Sequence, residues 1–392
     1  LSTRPDIIPD SFIAELRKLR EDNRPIPFPS IRSVLERSLG SSIDSVFAVL
    51  EMEPIATASI GQVHSGVLKS GAHVVIKVRR PGIESIVQND LDILGSMAAV
   101  LAHRIEGMAS FDPEGLVREF EKTILREMDF TVEAMNMQRF QENLKSETGM
   151  IIPRVYTELS SKTVIVMERL IGLRLENPEA LRAAGHDPEK LAVEGMRVFF
   201  RQVLEFGLFH ADPHPGNILA LPDGRIGLID FGMVGRLEPQ MSDHLGALIM
   251  NIIQRDYNRM LISLRKLGFE FDELSSPELR RELMEIVELY YGRPLESIGI
   301  GELLAKIVET IMQFNVKLPG GFLTLTRAMV ISEGVGRQLY PAIDVMKISE
   351  PMIRKIIQRQ HDPAKLFKEV ATALSDLRHT ATVFPRYLEI LM

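Results

Sequence analysis

The spacing of apolar residues changes several times along the chain, and each change predicts a different kind of element. Residues 1–42 are predicted to form short helices around the loop NRPIPFPS, because its prolines remove hydrogen bonds that a helix needs. Between residues 45 and 79, runs of β-branched residues alternate with Gly and Ser, as in GQVHSGVLKSG and AHVVIKVRR. That alternation is typical of a small antiparallel sheet with hairpins, and LKSGAHVV is its clearest predicted turn.

Helical spacing returns at residues 83–107 and 113–142, and the second helix is predicted to open with Asp112 as its N-cap and Pro113 in its first position. The segments IIPRVYTEL and TVIVMERL then predict two more strands of the same sheet. The second half of the chain has mostly helical spacing, apart from HADPHPGN and a short strand in GRIGLID. A sheet-rich half followed by a helical half predicts a two-lobed layout with a boundary near residue 170.

The composition is that of an ordinary globular protein, with 45% hydrophobic and 25% charged residues in a chain of 392. The formal net charge of −7 argues against general nucleic-acid binding, which draws on a surplus of Lys and Arg. The absence of cysteine excludes disulfides, thiolate metal sites and a cysteine nucleophile. No apolar run approaches the length of about 18 residues expected of a transmembrane helix.

The histidines of HADPHPGN raise the question of a metal site. His210 and His214 are four residues apart, a spacing that places two zinc ligands on one face of a helix. Pro213 and Pro215 argue against a continuous helix here, and the glutamate of the H-E-x-x-H pattern is absent. The sequence therefore does not favour a zinc site.

An acid, an amide and a second acid favour phosphoryl transfer instead. His210, Asp212 and Asn217 repeat the spacing of the kinase catalytic loop H-R-D-x-x-x-x-N, and Asp230 opens a D-F-G sequence. Phosphoryl transfer needs an acid near the attacking oxygen and hard oxygen ligands that hold Mg²⁺ against the phosphates. It also needs an upstream strand lysine, which VVIKV supplies as Lys77. The helical segment REMDFTVEAMN contains three candidate partners for this lysine, and spacing does not choose between them: Glu127, Asp129 and Glu133.

The segment in the position of a glycine-rich phosphate loop is rich in alanine. Alanine replaces two of the three glycines of G-x-G-x-x-G. Because alanine disfavours positive φ, this loop is expected to be stiffer than a glycine-rich one. A P-loop ATPase is excluded, since the chain contains no G-x-x-x-x-G-K-[ST] sequence. The loop consists of Ala56, Thr57, Ala58, Ser59, Ile60 and Gly61.

Together these motifs resemble the UbiB (ADCK-type, AarF-like) family of atypical protein-kinase-like proteins. The resemblance covers essentially the whole chain, from LSTRPDIIP to LPGGFLTLTRAMVISEGVGRQL. It implies a two-lobed protein-kinase-like α+β fold, with a small antiparallel β-sheet N-lobe, family-specific helical additions and a mainly α-helical C-lobe. The implied divisions are an N-terminal helical extension at 1–44, an N-lobe with a helical insertion at 45–170 and a helical C-lobe at 171–392.

The resemblance also implies a role for each candidate residue. Lys77 would bind phosphate, with Glu127 of a Glu-x-Asp motif as its ion-pair partner, and Asp212 would be the catalytic acid. Asn217 and Asp230 would be Mg²⁺ ligands, so that the implied cofactors are ATP and Mg²⁺. The nucleotide would also contact the alanine-rich loop and an adenine-binding hinge at Met167, Glu168 and Leu170.

The family is linked to ubiquinone and other isoprenoid-lipid biosynthesis, which implies a Mg-dependent ATPase at the cytoplasmic face of a membrane. Its expected partners are ATP or ADP, membrane lipid and quinone-biosynthesis proteins, and not nucleic acid. The family's Lys-x-Gly-Gln motif is expected before LSTRPD, and hydrophobic anchor helices are expected beyond the last residue of this chain. An apolar stripe at residues 363–377 is expected to pack on the domain rather than lie on a membrane.

Two alternatives to the ATPase remain open at the level of sequence. One is a protein or small-molecule kinase, since aminoglycoside- and choline-kinase-like enzymes have a similar HPGN run. The other is a nucleotide-binding scaffold without turnover, which the alanine-rich loop favours. The intact Lys77, Asp212, Asn217 and Asp230 argue against that scaffold, because it has no need of a catalytic acid. The substrate and the oligomeric state do not follow from the sequence.

Overall fold

The fold separates into two compact units. The first unit takes the described residues up to Leu173 together with Leu221–Met233, and the second takes Arg174–Ala220 and the described residues from Val234 onward. The segment that carries Asp230 thus belongs to the first unit, whereas the sequence-based division places it in the helical lobe. The computed structural model describes residues 25–104, 113–271, 276–291, 299–314, 316, 319 and 321–360.

The first unit is built on an antiparallel sheet with helices against it. The sheet has the strand order β1-β3-β4-β6, and β2 pairs with β3. Two further short strands of this unit, β5 and β10, pair in parallel. The strands are β1 (Phe47–Leu50), β2 (Ala56–Thr57), β3 (Gly61–Leu68), β4 (His73–Arg79), β5 (Met150–Ile151), β6 (Val164–Glu168) and β10 (Ile226–Leu228). The helices are α1 (Phe28–Leu39), α2 (Ile43–Val46), α3 (Ile83–Arg104), α4 (Pro113–Glu127) and α5 (Phe130–Asn143).

The predicted hairpin in LKSGAHVV joins β3 to β4. The N–H of Leu68 donates to the carbonyl of Ala72 at 2.9 Å, which closes the turn. Gly71 within it has a φ of 87°, in the left-handed region that glycine adopts without steric cost. The pairing then continues in register from Val67 opposite His73 to Gly61 opposite Arg79. This hairpin therefore confirms the predicted turn and brings the alanine-rich loop to the end of β4.

Alternation along β4 gives the sheet two different faces. Val74, Ile76 and Val78 are fully buried and belong to a core cluster with Ile31 and Leu35 of α1. Successive side chains of a strand point to opposite faces. Lys77 therefore lies on the face away from α1, with its neighbours in the strand buried beneath it.

The predicted helix at 113–142 consists of two helices with a break before α5. Asp129 leaves helical geometry, with φ −99° and ψ 94°, and its carboxylate accepts a hydrogen bond from the N–H of Thr131. This is an N-cap, which favours the start of a new helix at Phe130. Pro113 opens α4 as predicted, while Asp112 lies outside the described residues. The break lets α5 take a direction of its own.

TVIVMERL forms β6 as predicted, but the prediction for IIPRVYTEL is wrong. Its first residue ends β5, which pairs with β10 and not with the main sheet. Val155 then makes a single antiparallel bridge to Met167, and a 3₁₀ turn follows at Thr157–Leu159. Pro153 lacks the backbone donor that a central strand requires, which accounts for the interruption.

The second unit is mainly helical. Short strands β8 and β11 pair antiparallel, with His210 opposite Val234. Among the described residues, no helix is both long and apolar enough to cross a lipid bilayer. The helices are α6 (Pro178–Ala183), α7 (Pro188–Arg201), α8 (Pro239–Ile253), α9 (Tyr257–Lys266), α10 (Ser276–Tyr291), α11 (Ile300–Gln313), α12 (Phe322–Leu339) and α13 (Val345–Gln360). The strands are β8 (Leu208–His210), β9 (Ile218–Ala220) and β11 (Val234–Arg236), and the boundary between units falls within β7 (Leu173–Arg174).

Three predicted segments lie outside the described residues. The apolar stripe at 363–377 is one, and the opening segment LSTRPDIIP is another. The last turn of the predicted helix at 83–107 is the third, since α3 is described as far as Arg104. The expectations for these segments stay predictions.

Candidate functional site

A buried ion pair joins β4 to α5 in the first unit. The ammonium of Lys77 donates to both carboxylate oxygens of Glu133, at 3.1 and 2.8 Å. The side chains are 13% and 5% exposed, so both charges are largely removed from water. Glu133 is therefore the partner, which corrects the expectation that Glu127 pairs with the lysine. The charge of Glu127 is the last and smallest influence that raises the pKa of Lys77.

The surroundings of Lys77 keep it charged. Burial lowers its pKa, but the charges of Glu133 and Asp230 outweigh burial and raise the pKa above the ordinary lysine value. The ammonium also lies 5.2 Å from the centre of the Phe130 ring, a favourable cation–π distance. Burial raises the pKa of Glu133, and Lys77 opposes that shift. Lys77 thus stays protonated, and its contacts with Glu133 hold the ammonium in a fixed position.

Asp230 and Phe231 are held against α5 by three of its side chains. The N–H of Phe231 donates to Glu133, and the carbonyl of Phe231 accepts from the Asn136 amide at 3.1 Å. The Phe231 ring is fully buried and packs edge-on against Phe140, with the ring centres 4.9 Å apart. These contacts leave the Asp230 side chain 42% exposed, with one carboxylate oxygen 3.7 Å from the Lys77 ammonium.

The alanine-rich loop forms a tight hairpin at the end of β3. Ala56 pairs with Val63 and Thr57 with Gln62, and the N–H of Ala58 donates to the carbonyl of Gly61 at 2.8 Å. Within the described part of the chain, the N–H groups of Ser59 and Ile60 at the tip have no acceptor. Unpaired backbone N–H groups of this kind can bind phosphate oxygens.

Gly61 and Arg80 explain how this loop keeps its shape with a single glycine. A Cβ at Gly61 would lie 3.0 Å from the carbonyl oxygen of Val78 and 3.3 Å from the Phe130 ring, so the close approach of the strands requires glycine there. The backbone N–H of Arg80 donates to Ile60, and its guanidinium donates to the carbonyl of Ala58 at 3.0 Å. Hydrogen bonds from Arg80, which directly follows β4, therefore stabilise the shape of the loop.

The predicted hinge residues lie at the end of β6, the last strand of the main sheet, and just beyond it. Met167 and Glu168 lie in β6 opposite Val75 and Val74 of β4, and Met167 is buried. The carboxylate of Glu168 accepts a hydrogen bond from the backbone N–H of Arg154 at 3.1 Å. Leu170 is half-buried just beyond the strand. The structure thus places these three residues in the first unit, at the strand end that leads to the boundary between units.

In the second unit, HADPHPGN folds back on itself. The carbonyl of Asp212 accepts hydrogen bonds from the N–H of His214 at 2.8 Å and from the side-chain amide of Asn217 at 3.2 Å. A 3₁₀ turn at Pro215–Asn217 is capped by the His214 ring, which accepts from the N–H of Gly216. Within the described residues the carboxylate of Asp212 and the amide oxygen of Asn217 have no partner. Both oxygens are thus available to a ligand.

His210 anchors this loop from inside the second unit. Its side chain is 2% exposed, and its Nδ1 accepts a hydrogen bond from the N–H of Asp212 at 3.1 Å. The N–H of His210 in turn donates to the Gln202 side chain at 3.0 Å. Gln202 opens a π-helical turn that ends at Gly207, and such turns often occur at functional sites.

Comparison with known proteins decides the family. Residues 18–264 match the ABC1 atypical kinase-like domain, and residues 283–344 match the UbiB helical domain. The chain belongs to the UbiB family. A relative from Marinobacter nauticus named "Probable protein kinase UbiB" is 32% identical over 378 residues, which cover 95% of this chain and 69% of the relative. A protein of the same name from Cellvibrio japonicus is 31% identical over 374 residues, covering 94% and 68%.

A solved structure confirms the fold of this UbiB-family chain. The complex of Rv3197 with erythromycin from Mycobacterium tuberculosis is 25% identical, covers 90% of each chain and has a TM-score of 0.63. The resemblance seen in the motifs is therefore confirmed, as is the α+β kinase-like fold with its small antiparallel sheet. Membership supports a kinase-like enzyme in general, with a fold that implies nucleotide binding.

The residues present fit the ATP and Mg²⁺ that this fold implies. In the first unit, Lys77 and the free N–H groups of the alanine-rich loop suit phosphate, and the exposed carboxylate oxygen of Asp230 suits a hard cation. In the second unit, the amide oxygen of Asn217 has no partner among the described residues and is an oxygen donor of the kind that Mg²⁺ accepts. Mg²⁺ bound together with nucleotide phosphates needs only one or two protein carboxylates.

Sequence reasoning missed the residues that support the site. Asn136 and Phe140 follow Glu133 by three and seven positions, so the helical period of α5 was the signal that could have found them. Arg80 and Gln202 had no comparable signal. Arg80 acts on a hairpin formed by other residues, and Gln202 acts on a strand beyond a π-helical turn.

Proposed function

We propose that this protein is a Mg-dependent ATPase or phosphotransferase of the UbiB family, which supports ubiquinone or another isoprenoid-lipid pathway at a membrane. The observation that carries the enzymatic part is the buried Lys77–Glu133 pair beside Asp230. Replacing such a pair with apolar residues is often neutral or stabilising, so stability alone is a weak reason for it. A fixed positive charge next to an exposed carboxylate is, however, what a metal–nucleotide site requires.

Each residue has a defined task in this proposal. Lys77, oriented by Glu133, neutralises phosphate oxygens, and the N–H groups of Ser59 and Ile60 donate to them. Asp212 accepts the proton of the attacking oxygen, because its carboxylate is unpaired and its backbone is held by His210. Asn217 and Asp230 would hold Mg²⁺, which when bound supplies charge neutralisation on the phosphates.

The biological setting is proposed from the family rather than from geometry. Both relatives carry the printed name of a probable protein kinase UbiB, and residues 283–344 match the UbiB helical domain. We accordingly propose membrane lipid and quinone-biosynthesis proteins as partners, at the cytoplasmic face of a membrane. ATP hydrolysis is preferred over protein phosphorylation as the reaction.

The test is phosphate release from Mg-ATP by the wild type and by Asp212→Asn. The assay is run with and without anionic lipid vesicles and a phenolic mimic of a quinone precursor. We expect the turnover of the wild type to rise with lipid or phenol. In the variant, turnover should fall by about 10²-fold or more, as expected for loss of a general base, while nucleotide binding stays intact. Arg259→Gln, an exposed change elsewhere in the second unit, is the control and should retain activity.

The alternatives give different results in the same assay. Nucleotide binding without turnover in either protein, under every condition, would replace the enzyme with a nucleotide-binding scaffold. Phosphate that appears on an added protein or small molecule rather than in solution would establish a kinase.

A further inference from the structure

A pocket with several charged side chains in its wall opens in the first unit, and Lys77 does not line it. It has a volume of about 480 Å³ and lies where the end of α1, the end of β4 and the start of β6 come together. None of Lys77, Glu133 and Asp230 lines it. The argument depends on six of its lining residues: Arg37, Ser38, Arg79, Arg80, Ser161 and Lys162.

The charge of this pocket is opposite to that of the whole protein. Its walls carry four cationic side chains and one carboxylate, that of Glu84, whereas the chain as a whole has a net charge of −7. Glu84 is 67% exposed and pairs with Arg79, which is itself 11% exposed. A concave surface with one sign of charge raises the local concentration of the opposite ion. The pocket is therefore suited to an anion.

Hydroxyl groups and a helix terminus give the pocket further donors. The hydroxyls of Ser38 and Ser161 are 2.6 Å apart, which ties the end of α1 to the start of β6, and Thr163 lies beside them. The 22-residue helix α3 begins at Ile83, directly after Pro81 and Gly82 in the pocket wall. The first N–H groups of a helix have no partner within it and favour negative charge.

Two of the four cations have a long ion pair or no partner among the described residues. The guanidinium of Arg79 donates to the carbonyl of Met128, and that of Arg80 donates to Ala58, so both have structural partners. Arg37 has no hydrogen bond or ion pair within the described part of the chain. Lys162 is 77% exposed, and its ion pair with Asp129 is 3.9 Å long. Arg37 directly precedes Ser38, and Lys162 directly follows Ser161, so both cations lie next to the Ser38–Ser161 hydrogen bond.

We propose that this pocket binds the phosphoryl group of a phosphate monoester. Arginine guanidinium groups and hydroxyls supply several donors, which match the several acceptor oxygens of phosphate. A single carboxylate has fewer oxygens and would leave some of these donors without an acceptor. A lipid headgroup and a soluble phosphoester both present this group. The inference is tested independently of the proposed ATPase, because the variants below leave Lys77, Asp212 and Arg80 unchanged.

The experiment compares two charge-matched double variants of the whole chain. Arg37→Gln with Lys162→Gln removes the two available cations of the pocket. Arg32→Gln with Lys145→Gln removes the same charge from exposed positions of the same unit, where both residues have carboxylate partners outside the pocket. Binding of inorganic phosphate is measured by calorimetry, and binding of phosphatidylcholine vesicles with and without phosphatidic acid is measured by sedimentation.

The proposal expects saturable binding to the wild type and the control, and binding weaker by about tenfold or more in the pocket variant, as the loss of charged hydrogen bonds implies. Binding of phosphate alone identifies a soluble phosphoester, whereas binding that needs phosphatidic acid vesicles identifies a headgroup. No saturable binding of either probe, or equal binding by both double variants, would overturn the proposal.

A second variant keeps the result interpretable if the pocket variant unfolds. Glu84→Gln removes the only carboxylate of the pocket and is expected to strengthen phosphate binding several-fold, since a like charge next to the ligand is lost. Unchanged or weaker binding by Glu84→Gln would contradict the proposed site. Mg-ATP binding, measured in parallel, should be the same in all variants, so its loss would bear on the proposed function and not on this pocket.

Discussion

The charged side chain of Lys77 is largely buried, and neighbouring side chains offset the cost of removing this charge from water. Glu133 contacts the ammonium through both oxygens, and the Phe130 ring lies beside it. Asp230 adds a longer contact at 3.7 Å, and the charge of Glu127 has the smallest effect on the pKa of Lys77. The contacts therefore rank the acids around the lysine, with Glu133 first.

This ranking predicts unequal effects on stability. Glu133→Gln leaves the buried ammonium without a full counter-charge, so the free energy of unfolding should fall by about 3 kcal/mol or more. Glu127→Gln should lower it by less, because the carboxylate paired with the buried ammonium of Lys77 is that of Glu133. Urea unfolding followed by circular dichroism measures both values. Equal losses in the two variants would contradict the assignment of Glu133 as the partner.

His64 gives a second prediction, for the dependence of stability on pH. It is fully buried on β3, where its two ring nitrogens contact the Gln62 amide and the carbonyl of Glu51, each at 2.9 Å. Burial lowers its pKa below 6.5, and the charge of Glu53 only partly opposes this. The unfolded chain therefore binds a proton that the folded chain does not, once the pH falls below 6.5.

Stability should accordingly be greatest above this pH and decrease as the pH falls from 6.5 towards the lowered pKa of folded His64. Unfolding free energies measured by urea titration over this interval provide the test. His64→Gln, which cannot titrate, should show a shallower decrease than the wild type. An identical slope in both proteins would show that other groups account for the pH dependence.

At the scale of elements, helix α5 does most of the positioning in the first unit. The N-cap at Asp129 starts it afresh after α4, and its inner face then carries Glu133, Asn136 and Phe140. One helix thus orients the lysine, the backbone of Phe231 and the Phe231 ring. A single continuous helix from residue 113 would have kept the direction of α4.

In the second unit, the contact between α11 and α12 depends on a glycine. A Cβ at Gly301 would lie 2.8 Å from the backbone nitrogen of Val330, and the N–H of Gly301 donates to the buried carboxylate of Glu333 at 2.9 Å. Gly334 lies within α12, where a Cβ would meet no atom within 4 Å. Both glycines are helical, Gly301 in the first turn of α11 and Gly334 in the interior of α12, and they differ most in the space available to a side chain.

Alanine should therefore have opposite effects at these two glycines. Gly301→Ala is expected to lower the free energy of unfolding by about 1–3 kcal/mol, because the helices must separate. Gly334→Ala is expected to raise it by up to about 1 kcal/mol, because alanine favours the helix. Thermal and urea unfolding provide the values. A neutral Gly301→Ala would mean that α11 and α12 can shift apart at little cost.

At the scale of the whole molecule, nucleotide binding should appear as added stability. A ligand that binds only the folded state stabilises it by about 2.7 kcal/mol at a concentration of 100 Kd. Mg-ATP is thus expected to raise the melting temperature of the wild type and of Asp212→Asn. Asp230→Asn, which loses the exposed carboxylate oxygen, should show a smaller rise. Calorimetry with and without a Mg²⁺ chelator measures the melting temperature. The same rise in the presence and absence of the chelator would contradict a metal–nucleotide site.

Much of this protein could be predicted from local patterns. The hairpin at LKSGAHVV, the strand in TVIVMERL and the start of α4 at Pro113 depend on neighbouring residues, and the structure has all three. The strand prediction for IIPRVYTEL is wrong, because its apolar residues indicate burial but do not identify the strand with which it pairs. The prediction of one helix at 113–142 is wrong, because the N-cap that divides it does not change the helical spacing of the apolar residues.

The sequence by itself determined the family, the kinase-like order of motifs and the residue types of the candidate site, since these depend on identity and spacing along the chain. Only the tertiary structure decided that Glu133 and not Glu127 pairs with Lys77, a partner 56 residues away. It also decided that Arg37, Arg80 and Lys162 share one pocket. Such contacts depend on the direction of helices and the face of a sheet, which distant parts of the chain set jointly.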